Sequence, residues 1–205
     1  MKKYLYIIVF LLVVALYGVT QEDKAKEVYT KVFAEPLYIP SIQSSLDQDG
    51  DGIDDFTDIV QSARAQIGVV TEYDTSYYSE AYPPANKGAC ADIMWRALEN
   101  VGYDFKTMLD KDMKNSPQFY KEDPMPDDNI NFRRVENIRV FLHNYTEKLT
   151  LEVIPFDEKN LAQWQGGDIV TYAQIPGGLW HIGIISDKRR PDGVPLLIHN
   201  YGRGV

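Results

Sequence analysis

The sequence predicts an α+β protein in which N-terminal helices pack on a small antiparallel sheet. Three features carry that reading. Segments in the first two thirds of the chain repeat apolar residues at helical spacing, and the last third switches to short β-branched runs between turn residues. Helices first and strands afterwards give segregated layers rather than the alternation of a parallel sheet. At 205 residues there is room for one cored domain plus an extension, and no internal repeat suggests more.

The elements follow in order. Met1, Lys2 and Lys3 form a positive start, and Tyr4 to Val19 is apolar apart from tyrosine hydroxyls. Residues 1–20 therefore read as a signal peptide or short signal anchor. The continuous apolar run falls short of the ~20 residues of a comfortable membrane span. Residues 21–46, mixed in charge and then carrying Pro36, Pro40 and several serines, read as a linker or stalk. The acid-rich segment DQDGDGIDDFTD occupies 47–58, where Asp55 or Thr57 is expected to cap the next helix. That helix shows Ile59, Ala63, Gln66 and Ile67 at helical spacing, and Gly68 stops it.

Residues 71–89, rich in tyrosine, proline and glycine, read as an ordered loop. A helix starts at or near Cys90, with Ile93, Met94, Ala97, Leu98 and Val101 on its apolar face and Gly102 closing it. Prolines and aspartates then suggest loop to about Asn131. A third helix follows, carrying Val135, Ile138, Phe141, Leu142 and Tyr145 on one side. LTLEVIPF, DIVTYAQI, HIGIISD and PLLIHN are the expected strands.

Composition narrows the function. A formal charge of −9, and −11 once a leader carrying Lys2 and Lys3 is removed, argues against nonspecific nucleic-acid binding, which needs a basic surface. Exported proteins meet oxidising conditions and often pair their cysteines, yet this chain has one, Cys90. A lone thiol there is either buried or used for chemistry.

Cys90 stands where a reactive cysteine is expected, at a helix N-terminus after the glycine-containing loop NKGAC. Unpaired amides and the helix dipole at that position favour a thiolate and predict a lowered pKa. The same position also suits a structural thiol in the first turn. Among the three histidines, His143 falls on the polar side of its helix. His181 opens one strand and His199 closes the next, with SDKRRPDG as the connection. Pairing of Ser186 near Pro195 would set the two histidines nearly opposite and on one face.

In such a Cys–His–His arrangement His181 takes the thiol proton, and His199 holds the ring in the right tautomer. Asn200 is the alternative orienting group. A zinc site built from Cys90, His181 and His199 lacks any paired ligand spacing. The backbone N–H of Cys90 is the first oxyanion donor, with Tyr73 or Tyr82 as candidates to add a hydroxyl. Asp92 is read either as a contact for a substrate amine or as a cap of the first turn.

The segments QSARAQIGVVTEYD, YPPANKGACADIMWRALENVGYD, NINFRRVENIRVF, QGGDIVTY, HIGIISDKR and LLIHNYG resemble an uncharacterised bacterial family, DUF1287. That family is similar to the NlpC/P60 cysteine peptidases of the cell wall. The resemblance runs from about Asp49 to Gly204. It implies a papain-like fold over residues 59–205, with Cys90 as nucleophile, His181 as base and His199 in the third polar position. It also implies an amide substrate, the peptides of peptidoglycan, and no cofactor for catalysis.

Two departures from the resembled pattern stand out. Ala89, Cys90, Ala91 and Asp92 replace the usual Asp-Cys-Ser-Gly, and the family continues for about a strand beyond the position of Val205, which implies either a truncated copy or an incomplete sequence. A noncatalytic wall-binding module on the same fold, and a thiol acyltransferase or amidase on other substrates, are the competing functional readings. Export implies an extracellular, wall-associated or periplasmic location, with membrane attachment if the N-terminal segment is not cleaved.

Separately, Asp47, Asp49, Asp51, Asp55 and Asp58 match positions 1, 3, 5, 9 and 12 of a calcium loop, with Gly52 at position 6. Oxygen ligands at alternating positions around a tight glycine turn suit a structural calcium ion. A solvated acidic turn is the alternative.

Overall fold

The computed structural model describes residues 35–120, 125–175, 179–202 and 204–205. The signal segment read at 1–20 and the first part of the lead-in lie outside the described residues. Among the described residues no helix is long and apolar enough to cross a membrane.

The elements run α1 (Asp55–Ala65), β1 (Glu72–Tyr73), β2 (Lys87–Gly88), α2 (Cys90–Glu99), α3 (Phe105–Asn115), α4 (Val135–Tyr145), α5 (Glu158–Leu161), β3 (Ile169–Ile175), β4 (Leu179–Arg189) and β5 (Pro195–Ile198). The architecture is mixed α and β with a small antiparallel sheet, ordered β3-β4-β5. A two-residue parallel pair, β1 with β2, stands apart and joins Tyr73 to Gly88 in register.

Packing follows the periodicities. β4 is the central strand, and its Ile182 and Ile184 are fully buried. They join Ile93 and Met94 of α2, Leu109 of α3, Ile138 of α4 and Phe132 in one apolar cluster. Each side chain so buried contributes about 1.5–3 kcal/mol. Both α2 and α4 pack on β4, so the start of α2 is held against the sheet.

Several local expectations are corrected. Asp54 caps α1, in place of Asp55 or Thr57, accepting the Thr57 N–H at 3.4 Å and the Thr57 hydroxyl at 2.6 Å. The region read as loop up to Asn131 contains α3. Asp104 caps it by accepting the Thr107 N–H at 3.0 Å, and Phe105, Leu109 and Met113, spaced by four, are all buried.

LTLEVIPF forms no strand. Its backbone is held by side chains instead: Asn160 and Trp164 both donate to the Glu152 carbonyl, and the Ile154 N–H donates to Asn160 Oδ1. Pro155 lacks an N–H, and Phe156 turns the chain with φ of 66°. The lead-in is partly docked: Ile39 is buried, the Leu37 N–H donates to the Pro191 carbonyl, and the Ile42 N–H donates to Gln165 Oε1.

The β4–β5 register lies within one residue of expectation beside the histidines and departs further only past a shift between Ile185 and Arg189. Arg189, not Ser186, pairs with Pro195, and Ile184 pairs with Ile198. Continued by alternation, this register sets His199 across from Gly183 and Tyr201 across from His181. A Cβ on Gly183 would lie 2.9 Å from the Leu197 side chain, so only glycine fits there.

Candidate active site

α2 begins at Cys90, which is 4% exposed. The first turn is built around Asp92, whose carboxylate is fully buried and receives four donors. The Ala89 N–H (2.6 Å) and Trp95 Nε1 (2.7 Å) close the turn, and Arg133 forks onto it through Nε at 2.7 Å and a terminal nitrogen at 3.0 Å. The other guanidinium contacts of Arg133 reach the carbonyls of Ser76 and Asp74. One buried ion pair therefore fixes both the helix that begins at Cys90 and the loop that follows Tyr73.

Arg96 holds the same loop from its other end, donating to the carbonyls of Pro83, Pro84 and Lys87. Gly88 allows the close approach, because a Cβ there would stand 2.8 Å from Asp92 Cβ. Asp92 is thus the cap and anchor of the turn, and its filled coordination leaves nothing for a substrate amine.

The thiol faces the peptide that joins His181 to Ile182. The N–H groups of Ile182, Ala91 and Cys90 itself, and the Tyr73 hydroxyl, lie near enough to the thiol to act on its titration. Burial nonetheless pushes the Cys90 thiol above its ordinary 9.0, and those N–H groups offset only part of this. The lowered pKa expected from the helix N-terminus is corrected accordingly. Burial, with the neighbouring sulfur, pushes Tyr73 up to about 12, so its hydroxyl remains a donor.

His181 Nε2 lies 2.8 Å from His199 Nδ1. Burial holds both imidazoles below 6.5, and for His181 the charge of His199 adds to the effect. The pair is therefore neutral at pH 7, and one ring nitrogen of each is an acceptor. With the thiol pKa raised and both imidazoles lowered, all three groups are uncharged at pH 7, so no thiolate–imidazolium pair is preformed.

Tyr172 and Tyr201 flank His181, with ring centroids 6.0 and 5.2 Å away, and both are partly exposed. Neither stood out in the sequence. Tyr172 is the direct register partner of His181, a relation visible only once β3 and β4 are paired.

Other candidates lie elsewhere. Tyr82 packs its ring on Trp95 and Phe132, and burial together with Glu99 and Asp104 raises its pKa; nothing links it to the thiol. Asn200, the alternative orienting group, is fully buried and donates to the Gly88 carbonyl at 2.8 Å. It ties the end of the histidine strand to the cysteine loop. His143 is exposed beside Lys148. An open cleft of about 400 Å³ lined by Thr107, Asp110, Lys111, Lys114, Asn115 and Asp128 shares no residue with the Cys90 site.

Of the acidic loop, Asp47, Asp49 and Asp51 bring carboxylate oxygens within 4.8 Å of one another on the surface. Asp55 turns away and is occupied by the Gln48 N–H and the Tyr103 hydroxyl. Asp58 has one buried oxygen without a hydrogen-bond partner, and burial and then Asp51, Asp49 and Asp47 raise its pKa.

No solved structure matches the chain. It is similar to the uncharacterized protein YijF of Escherichia coli (strain K12), 36% identical over 155 residues that cover 72% of each protein. Residues 60–205 match the family described as a domain of unknown function, DUF1287. That span holds Cys90, His181, His199 and the whole sheet, and the chain belongs to the DUF1287 family.

Proposed function

We propose that the protein is an exported cysteine hydrolase that cleaves amide bonds of cell-wall peptides, on a papain-like fold of the NlpC/P60 type. The observation that supports it best is the 2.8 Å contact between His181 Nε2 and His199 Nδ1, where His181 directly precedes Ile182, whose N–H lies near the thiol at a helix N-terminus.

The tautomers define the roles. If His181 Nε2–H donates to His199 Nδ1, the Nδ1 of His181 is left with a free lone pair. That nitrogen takes the Cys90 proton as sulfur attacks the substrate carbonyl. The oxyanion is met by the Cys90 N–H and the Tyr73 hydroxyl. The imidazolium then protonates the leaving amine, and a C–N bond breaks to give a thioester. Water, deprotonated by the same Nδ1, attacks the thioester and releases acid and free thiol.

A neutral thiol–imidazole pair suits this sequence, because the proton moves only as the nucleophile attacks. The partners are peptidoglycan peptides or related amides, and no cofactor enters the chemistry.

A second reading, a noncatalytic wall-binding module, draws on one observation: the thiol is 4% exposed and its pKa is raised. Peptidoglycan fragments incubated with wild type and Cys90→Ala, with products read by mass spectrometry, separate the two. New amines from wild type alone establish the hydrolase. Binding without new amines in either chain establishes the module.

A further inference from the structure

Arg139 of α4 lays its guanidinium on the Trp180 ring, 5.0 Å from the centroid. Its Nε is buried and has no hydrogen-bond partner, and among the described residues no carboxylate pairs with it. This is unusual in a chain with 30 acidic and 21 basic residues. Other partly or fully buried arginines nearby are heavily used: Arg133 meets Asp92 and two carbonyls, and Arg96 meets three carbonyls. An unpaired guanidinium with a desolvated N–H costs free energy unless a ligand supplies the acceptor.

Position gives the group its meaning. Trp180 precedes His181, and it packs against the buried cluster that holds both Cys90 and Ile182. Trp180 and Ile182 are two residues apart on β4, a rise of about 6.7 Å. The Ile182 N–H lies near the Cys90 thiol and lowers its pKa. The guanidinium thus stacks on the residue that precedes His181, two strand positions from the residue whose N–H lies near the thiol. A planar guanidinium stacked on an indole is pre-organised for a carboxylate, which it can grip with two parallel N–H bonds.

We propose that Arg139 and Trp180 form a subsite for a substrate carboxylate, selecting amides that carry a free carboxylate within about two residues of the scissile bond. The proposal deepens the hydrolase reading and takes from it only the position of the scissile carbonyl.

Alkylation of Cys90 tests the subsite without needing turnover. The full chain is treated at pH 7.5 with N-iodoacetyl-β-alanine, which presents a carboxylate at that reach, and with its uncharged primary amide. The acid is expected to react about tenfold faster than the amide, the size of one charge-assisted hydrogen bond. Arg139→Gln is expected to erase that preference and Arg139→Lys to keep part of it, with reactivity toward the amide unchanged.

As a second readout, N-acetyl-β-alanine should shift the Trp180 indole resonance in Cys90→Ala and leave it unmoved in Cys90→Ala/Arg139→Gln. Equal rates for the two reagents in wild type overturn the proposal, as does an acid preference that survives Arg139→Gln. A chain that shows the preference but never cleaves wall peptides ends the hydrolase reading and leaves the carboxylate subsite standing.

Discussion

His181 Nε2 and His199 Nδ1 meet at 2.8 Å, although the strand register sets His199 across from Gly183. The contact is diagonal, and Gly183 sets no side chain of its own opposite His199, the Leu197 side chain filling that space instead. Two neutral imidazoles can share this contact only if one nitrogen donates and the other accepts. Tautomer choice at His181 is therefore coupled to His199.

That coupling predicts a graded series. His181→Ala should reduce turnover by about 10²–10⁴-fold, the ordinary range for a lost general base. His199→Ala should cost less, about 10–100-fold, as for other groups that only orient a histidine. His199→Gln and His199→Asn should regain part of that loss, because an amide oxygen still accepts the ring N–H. The measurement is amine release from peptidoglycan fragments. Undiminished activity in His199→Ala would remove His199 from the mechanism.

The pH dependence of stability follows from the same groups. His181 and His199 titrate below 6.5 in the fold, so between those values and 6.5 the unfolded chain binds more protons. Their contribution is complete above 6.5 and is lost as pH falls through the folded values. Cys90 titrates above 9.0 in the fold, so its contribution is complete below 9.0 and is lost as pH rises toward the raised value. Urea midpoints should plateau between these limits. His199→Gln should flatten the acid side and Cys90→Ala the alkaline side. An alkaline limb unchanged in Cys90→Ala would contradict the raised thiol.

Much of this arrangement was legible in the sequence. Helix α2 followed from the spacing of Ile93, Met94, Ala97 and Leu98, and β4 from the alternation in HIGIIS. Helix α3 was hidden by the prolines and aspartates around it, although Phe105, Leu109 and Met113 carried its period. LTLEVIPF failed as a strand because β-branched residues mark extended chain, and extended chain becomes a strand only with a backbone partner. The hairpin register beside the histidines differs by one residue from the expected one, and the shift between Ile185 and Arg189 that moves Pro195 onto Arg189 is not set by turn composition. Tyr172 and Tyr201 reach His181 through pairing across strands, which no local pattern reports.

The Asp92–Arg133 pair should behave as a structural unit. Its side chains are 0% and 3% exposed, and removing one partner leaves a charge buried alone. Asp92→Asn and Arg133→Met should each lower stability by about 3–5 kcal/mol in urea unfolding. Because Arg133 also holds the carbonyls of Asp74 and Ser76, both variants should change the rate of Cys90 alkylation. A loss of substrate affinity in Asp92→Asn with stability intact would instead make Asp92 a substrate contact.

Calcium is expected to act through the Asp47–Asp58 loop and outside the chemistry. Asp47, Asp49 and Asp51 converge there, and Asp58 keeps a buried oxygen without a donor while burial and those three carboxylates raise its pKa. A group whose folded pKa is raised loses its stabilising contribution as pH rises from 3.8 through the folded value, so at neutral pH this loop carries uncompensated repulsion. A divalent ion bound by hard oxygens would relieve it and raise the melting temperature by mass action. Asp49→Asn and Asp51→Asn should abolish the calcium response. Asp55→Asn should weaken the fold but keep the response, because the Asp55 carboxylate serves Gln48 and Tyr103 instead. Calorimetric titration with calcium decides it: no saturable heat in the intact chain would leave the loop as a solvated acidic turn, and an equal response in Asp49→Asn would move the ion elsewhere.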